Sequence, residues 1–298
     1  MSKKLLSRLI IFVVLVMPLN QSMFGAQSNA EVKATKSSKK PWYKSVWAKA
    51  GGMLTTLAAT AVTAYYVGKK SQEKEAGLYP KLSRNLEEGV ALAESIFNMN
   101  TTEKELKDEI QDWIDQGHNI NTDIIYYGNG MYLTPLMTAA WEENMTALKL
   151  LVETFNADIN IPNKEGETAL TAAAEHTDAI EYLLKHDAKV NVLNSQKVTP
   201  LIATALVSSD PRAIGLLLNK GAKVNVQSDH KYTPLNAVYL RFLGEIDERP
   251  QLYHMMQILL ERGAEVNVSM PDRDGTLIEN IQDSGDAELI ALFNRYAN

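Results

Sequence analysis

Apolar residues from position 88 to the C-terminus recur in short blocks with helical spacing, and polar turns separate the blocks. A leucine pair recurs four times, as Leu150–Leu151, Leu183–Leu184, Leu217–Leu218 and Leu259–Leu260. A shorter block rich in small residues lies upstream, for example at residues 172–174. Small residues let a short helix pack closely, and a leucine stripe gives a second helix an apolar face toward its neighbour. The pattern predicts an all-α region built from successive helix pairs.

Two further elements recur in phase with the leucine pairs. A Thr-Pro-Leu triplet, or Thr-Ala-Leu in one unit, begins at Thr134, Thr168, Thr199 and Thr233, in steps of 34, 31 and 34 residues. An Ala-x-Val/Ile-Asn element begins at Ala157, Ala188, Ala222 and Ala264. Threonine caps a helix start, and proline suits the first helical position because its missing N–H needs no partner there. Three features in one phase predict a repeat solenoid.

The ends of the helices and of the array also carry recognisable residues. Each second helix is followed by a residue suited to the left-handed conformation, and these residues are Asn156, Asp187, Gly221 and Gly263. Thr102 and Glu105 have the spacing of a capping box, and we expect the helix through Trp113 to end at Gly117. The last unit, from Thr276 to Phe293, has lost the proline, as a terminal cap can. We count six units, of which two are caps.

These elements make the chain similar to the ankyrin repeat family, whose signature is a 33-residue unit containing T-P-L-H-x-A. The resemblance covers roughly residues 88–298 and implies an all-α solenoid of stacked helix–turn–helix units. It also implies a non-enzymatic scaffold that binds a protein partner through its concave surface. The family's histidine is missing after every triplet, where Met137, Thr171, Ile202 and Asn236 stand instead. We therefore expect the hydrogen bonds that this histidine makes between units to be absent.

The resemblance implies that partner contacts come from the hairpin tips and from the exposed face of the first helices. The candidate residues are Trp141, Glu142, His176, His230, Tyr232 and Arg241, together with Tyr126 and Tyr127. The two tyrosines lie in an insertion around Asp123–Tyr132, and a second insertion, around Gly244–Tyr253, lengthens one step to 43 residues. Long loops on a stiff scaffold often carry function. The alternative for Trp141 is that it covers the neighbouring unit, and Leu206 and Val207 are expected in the core.

The first 26 residues have the pattern of a signal peptide. Lys3, Lys4 and Arg8 precede an apolar run from Leu9 to Leu19, which is too short to span a bilayer. Ala26 suits the position before a cleavage site. An uncleaved anchor or a chance apolar start is the alternative. Residues 27–49, rich in Lys, Ser and Ala, follow as a basic linker.

Residues 50–67 form a candidate membrane-spanning helix. The segment has 18 residues without a charge, flanked by Lys49 and Lys69 and by Trp47 and Tyr65–Tyr66 at its ends. The alternative is a helix that lies on the membrane or packs on the repeat domain. Lysines on both sides leave its orientation open. Residues 68–87 are then a linker, and residues 88–298 are the repeat domain.

Charge and composition limit the function further. Residues 1–75 hold 12 Lys/Arg against 3 Asp/Glu, whereas residues 76–298 hold 18 against 33. The acidic repeat region would repel phosphate, so no nucleic acid is expected as a partner. The chain has no cysteine, its five histidines lack metal-ligand spacing, and no phosphate-binding or nucleophile motif is present. We therefore expect no enzyme activity, metal, cofactor or small-molecule substrate.

The predicted location is a cell envelope, either in the periplasm or anchored in the inner membrane, and secretion is the alternative. Within that setting the partner is an unidentified protein. Two other roles stay open at this point. One is an envelope spacer that self-associates through its membrane segment, and the other is an effector secreted toward a host.

Overall fold

The computed structural model describes Leu92, Ile96 and residues 101–121, 125–127, 131–271 and 274–296. The chain divides into two compact units, Met1–Arg84 and Asn85–Asn298, and the described residues all belong to the second. The predicted signal peptide, basic linker and membrane segment at 50–67 therefore lie outside the described residues. Within the described part, no helix combines the length and the apolar character needed to cross a membrane.

The first described helix with defined ends is a capped amphipathic helix, and a short ribbon follows it. Helix α1, Glu103–Asp115, begins at the predicted capping box of Thr102 and Glu105, and Gly117 follows its end with a φ of 95°. Strands β1, Ile125–Tyr127, and β2, Met131–Leu133, pair antiparallel within the first insertion. The all-α prediction did not include this ribbon. The ribbon lies where three tyrosines and Ile125 favour extended backbone.

Five helix pairs follow the ribbon, which confirms the predicted helical solenoid. They are α2 Pro135–Trp141 with α3 Met145–Lys149, α4 Ala169–Ala172 with α5 Thr177–Lys185, α6 Pro200–Val207 with α7 Pro211–Asn219, α8 Pro234–Gly244 with α9 Arg249–Glu261, and α10 Leu277–Asp283 with α11 Ala287–Asn294. Helix α3 continues as a π-helical turn, Leu150–Thr154. Leu92 and Ile96 are also helical and buried. The count of six units stays a prediction, because Leu92 and Ile96 are the described residues of the helix that would open the first unit.

The predicted helix boundaries have the expected physical causes. The side chains of Thr134, Thr199 and Thr233 each accept a hydrogen bond from the backbone N–H three residues later. Thr168, whose triplet lacks proline, makes no such bond. The four residues expected in the left-handed conformation adopt it: φ is 54° at Asn156, 62° at Asp187, 83° at Gly221 and 82° at Gly263.

The core lies between neighbouring helix pairs rather than in one central cluster. Each leucine pair is buried, as are the alanines of the first helices. Leu206 and Val207 are also buried, as expected for core residues. Because every unit buries its apolar face against the next, stability depends on contacts between units.

The second insertion extends one helix pair. It lengthens α8 and α9 and places a 3-10 turn, Ile246–Glu248, between them. This turn brings Glu248 to Arg241 of α8 and to Ser209, which follows the first helix of the preceding pair. The extra residues therefore add a polar contact between units.

Candidate protein-interaction surface

An asparagine ladder joins successive units. In three of the four Ala-x-Val/Ile-Asn elements, the asparagine side chain donates to a carbonyl of the next unit and accepts a hydrogen bond from a backbone N–H of that unit. Asn191, for example, donates to the Gly221 carbonyl at 2.9 Å and accepts from the Lys223 N–H at 2.9 Å. Asn160 and Asn225 make the same pair of bonds one unit before and one unit after. The sequence showed these asparagines as a repeating element, but their lateral role was missed.

Three hairpins lie one after another, and we call them the hairpin row: residues 163–167, 194–198 and 228–232. A side-chain oxygen at the start of each hairpin accepts a hydrogen bond from the backbone N–H four residues later, and these residues are Asn163, Asn194 and Ser228. Backbone hydrogen bonds join neighbours, from Ser195 N to Glu165 O at 2.7 Å and from Asp229 N to Gln196 O at 3.0 Å. The row is therefore a continuous, internally bonded edge.

Gly166 lets two hairpins approach closely. Its φ is 81°, and a Cβ atom at this position would lie 3.1 Å from the Asn194 Cα. Lys197 and Lys231 hold the same place in the next two hairpins, also at positive φ. Lys197 forms an ion pair with Asp229 at 2.6 Å. The hairpin that contains Gly166 has no lysine at this place.

One substitute for the missing histidine restores the contact between units. The Asn236 side chain accepts from Thr233 N and donates to the carbonyls of Lys231, at 2.9 Å, and Ser269, at 3.2 Å. Ser269 belongs to the next unit. The expectation that all such bonds are absent is therefore wrong at this position, because an amide can donate and accept as an imidazole does.

The ends of the first helices form a second line of contacts, which we call the helix-end row: residues 141–143, 175–176, 208–209 and 241–248. His176 Nε2 lies 3.0 Å from the Trp141 carbonyl, and its Nδ1 lies 3.2 Å from a Glu143 carboxylate oxygen. Trp141 and Glu142 are each 9% exposed, and His176 is 5% exposed. The expectation that these three side chains are exposed is corrected, because all three are buried in the repeat array.

Arg241 anchors the other end of the helix-end row. Its guanidinium donates to the Ser208 carbonyl, to Ser209 Oγ at 2.9 Å and to Glu248 Oε2 at 2.9 Å. Ser209 also donates to Glu248. Burial lowers the pKa of Arg241, while the charge of Glu248 opposes that shift. Arg241 therefore joins two units and the second insertion.

The most accessible of the predicted contact residues lie on the hairpin row. His230 is exposed, and Tyr232 is half-buried. Tyr126 and Tyr127 lie in β1, paired with Tyr132 and Met131 of β2. Partner binding by any of the eight predicted residues stays a prediction. Their positions separate into the hairpin row, the helix-end row and the ribbon.

Glu167 is a buried acid that is not among the eight predicted contact residues. It is 5% exposed. Burial, with a further contribution from the charge of Glu165, raises the pKa of Glu167 to about 7, although the amides of Asn163 and Asn194 oppose the shift. The available clue was the residue type at the equivalent position of the other units. The residue before the triplet threonine is apolar or aromatic there, as Leu133, Val198 and Tyr232.

The described residues contain no group of three or more His, Asp or Glu side chains arranged to hold a metal ion. The polar side chains of the two rows instead make hydrogen bonds and ion pairs within and between units. This arrangement holds a surface in a fixed shape.

Comparison with known families agrees with this architecture. A family model described as ankyrin repeats, in three copies, matches residues 105–194 and again residues 136–228. Residues 105–228 therefore contain ankyrin repeats. Ankyrin repeats are protein–protein interaction modules and are generally non-catalytic. Comparison with curated protein sequences gave no match.

Proposed function

We propose that the chain is a non-enzymatic scaffold that binds a protein partner through the concave ankyrin surface, with the hairpin row as its main contact. The observation that carries this proposal is the row's construction. Its backbone is bonded from hairpin to hairpin, while His230 and Tyr232 stay accessible at one end. A fixed surface that presents an aromatic side chain favours binding, because little conformational freedom is lost on association.

The binding proposal is tested by site-specific photo-crosslinking in cells. A benzophenone amino acid replaces Tyr232 in the hairpin row or, as a matched control, the half-buried Tyr253 of α9. We expect a discrete cross-linked partner from position 232 and none from position 253. The purified partner should then bind Tyr232→Ala at least about tenfold more weakly than the wild type. Equal affinities for wild type, Tyr232→Ala and Tyr253→Ala would contradict the proposed surface.

The test also separates the proposed scaffold from a self-associating spacer. A spacer that self-associates through its membrane segment would give no cross-link from position 232 to another protein. A cross-link only to a second copy of this chain would make the hairpin row a contact between copies, and either result would refute a distinct partner. Cross-linking to a protein of a host cell would instead support the secreted effector.

We further propose that the repeats are exported to a cell envelope or anchored at its inner membrane, with secretion as the alternative. The support is the sequence of residues 1–67, with its basic start, its apolar run and its uncharged second segment. Protease protection on intact cells and spheroplasts, with a tag after Asn298, tests this location. Digestion once the outer barrier is opened supports export of the repeats. Protection until the inner membrane is lysed places the repeats in the cytoplasm and contradicts export.

A further inference from the structure

Glu167 lies in the hairpin row at a repeat position where other units have an apolar residue. The equivalent residues Leu133 and Val198 are each 1% exposed and fill the space between units with hydrocarbon. Glu167 is buried at the same place, with a carboxyl group in their stead. A buried ionised carboxylate is costly unless hydrogen bonds and opposite charges compensate for its lost hydration. The surroundings of Glu167 therefore decide whether it holds a charge or a proton.

Buried oxygen atoms outnumber buried donors among the atoms of these two hairpins that make no hydrogen bond. Glu167 Oε1, Glu165 Oε2 and Gln196 Oε1 are buried oxygen atoms without a hydrogen-bond donor. The Asn163 amide reaches only the other oxygen of Glu167, Oε2, at 3.4 Å. The Asn194 amide is a further donor beside the carboxyl and lowers its pKa, although its Nδ2 is not within hydrogen-bonding geometry of any acceptor. A proton on Glu167 would supply a donor, since a protonated carboxyl has one O–H.

The charge that raises the pKa of the buried carboxyl has the same sign as its own. Among the described residues, Glu165 is the charged group that acts on Glu167, and it has the same sign. Lys197 of the next hairpin pairs with Asp229. The place of Lys197 is taken here by Gly166, so this hairpin lacks the lysine that its neighbours carry.

We propose that Glu167 regulates the hairpin row by taking up a proton, which closes the contact between the hairpins at 163–167 and 194–198. The proton comes from water, and the new O–H of Glu167 donates to Glu165 Oε2 or Gln196 Oε1. Loss of that proton places a charge in the buried contact and loosens the hydrogen bond from Ser195 N to Glu165 O. Regulation of partner binding rests on the proposed function, whereas the change in the hairpins does not.

Hydrogen exchange of the full chain tests this proposal directly. The protection of the Ser195 amide is measured at pH 6 and pH 8.5 and corrected for the intrinsic pH dependence of exchange. We expect its protection to fall about tenfold, because the closed state loses a factor of ten for each pH unit between the ordinary pKa of the carboxyl and its raised pKa of about 7, and the loss levels off above that value. The Asp229 amide, which bonds to Gln196 O in the next junction at 3.0 Å, is the internal control and should not change.

Two variants remove the carboxyl group that takes up the proton, and either of them can refute the proposal. Glu167→Gln keeps the shape of the side chain, and Glu167→Leu restores the residue found at position 133. In each folded variant the response of Ser195 to pH should disappear. The proposal is overturned if Ser195 and Asp229 respond alike in the wild type, or if the Ser195 response survives in either variant.

Partner binding is measured separately with the partner cross-linked at position 232. Affinity should fall between pH 6 and pH 8.5 for the wild type and stay constant for Glu167→Gln. A pH-independent affinity would refute the regulation of binding while leaving the proposed function intact. Failure to find any partner would refute the proposed function, and the exchange experiment would still decide the behaviour of the hairpins.

Discussion

The contact between Arg241 and Glu248 gives the sharpest quantitative prediction about the array. The two side chains are 15% and 20% exposed, so solvent screens them less than a surface pair. Arg241→Met removes three donated hydrogen bonds and leaves Glu248 with Ser209 as its remaining described partner. Breaking a fully buried ion pair costs about 3–5 kcal/mol. Because this pair retains some exposure, we expect a loss of about 2–3 kcal/mol in the free energy of unfolding.

A double-mutant cycle isolates the pair from the other contacts of Arg241. The variants are Arg241→Met, Glu248→Gln and the double substitution, and unfolding is followed in urea by circular dichroism on the full-length protein. We expect a coupling energy of about 1–2 kcal/mol. The matched control is Arg212→Met, because Arg212 is 65% exposed and lies 3.6 Å from Glu181. An exposed pair of this kind contributes about 0.2–1 kcal/mol.

The reasoning fails if the coupling between Arg241 and Glu248 is below about 0.5 kcal/mol, since measurement cannot distinguish that value from an exposed pair. It also fails if Arg212→Met costs as much as Arg241→Met. The urea dependence of unfolding must stay constant across the variants, because a repeat array can lose cooperativity and unfold in parts. A changed slope would show that the substitution uncoupled the units.

Three further predictions concern the hairpins and the ladder. Asn191→Ala should cost about 1–2 kcal/mol in urea unfolding, whereas Asn267→Ala, at the ladder position for which no such bond is described, should cost less than about 0.5 kcal/mol. Gly166→Ala should destabilise the protein by more than about 1 kcal/mol, because Gly166 has a positive φ and closely contacts Asn194. Gly215 lies within a helix with open space around it, so Gly215→Ala should be neutral or stabilising, and the reverse order would refute this account. Glu167→Gln should match the stability of the wild type below pH 4.5 and exceed it by up to about 3 kcal/mol above pH 8. The reason is the raised pKa of Glu167, because of which the wild type loses stability as pH rises through about 7. A difference in stability that does not change with pH would contradict the burial argument.

The order of helices along the chain could be predicted because its causes are local. Thr199 with its following proline specifies a helix start, and Gly221 specifies a helix end, each through its own backbone preference. The same local logic found the capping box of Thr102 and Glu105. Where a local element was weak, as at Thr168 without proline, the helix still formed but its side-chain cap did not. Packing of the unit compensates there for the missing cap.

The contacts between units could not be predicted, because they depend on how far one unit is displaced from the next. The position of His176 on its helix suggested exposure, yet its ring reaches the Trp141 carbonyl of the preceding unit. Asn236 stands where the family has histidine, and only its surroundings show that an amide makes the equivalent bond. A sequence read one unit at a time identifies each polar residue but not its partner in the next unit.

This division between local and lateral contacts determines how binding experiments must be interpreted. Trp141 and His176 take part in the junction between units, so Trp141→Ala or His176→Ala would reduce binding by loosening the array, whether or not the partner touches either side chain. His230 and Tyr232 lie at the accessible end of the hairpin row. A loss of affinity for His230→Ala or Tyr232→Ala, at an unchanged free energy of unfolding, therefore identifies a contact. The same loss at the helix-end row identifies one only after the stability change has been subtracted.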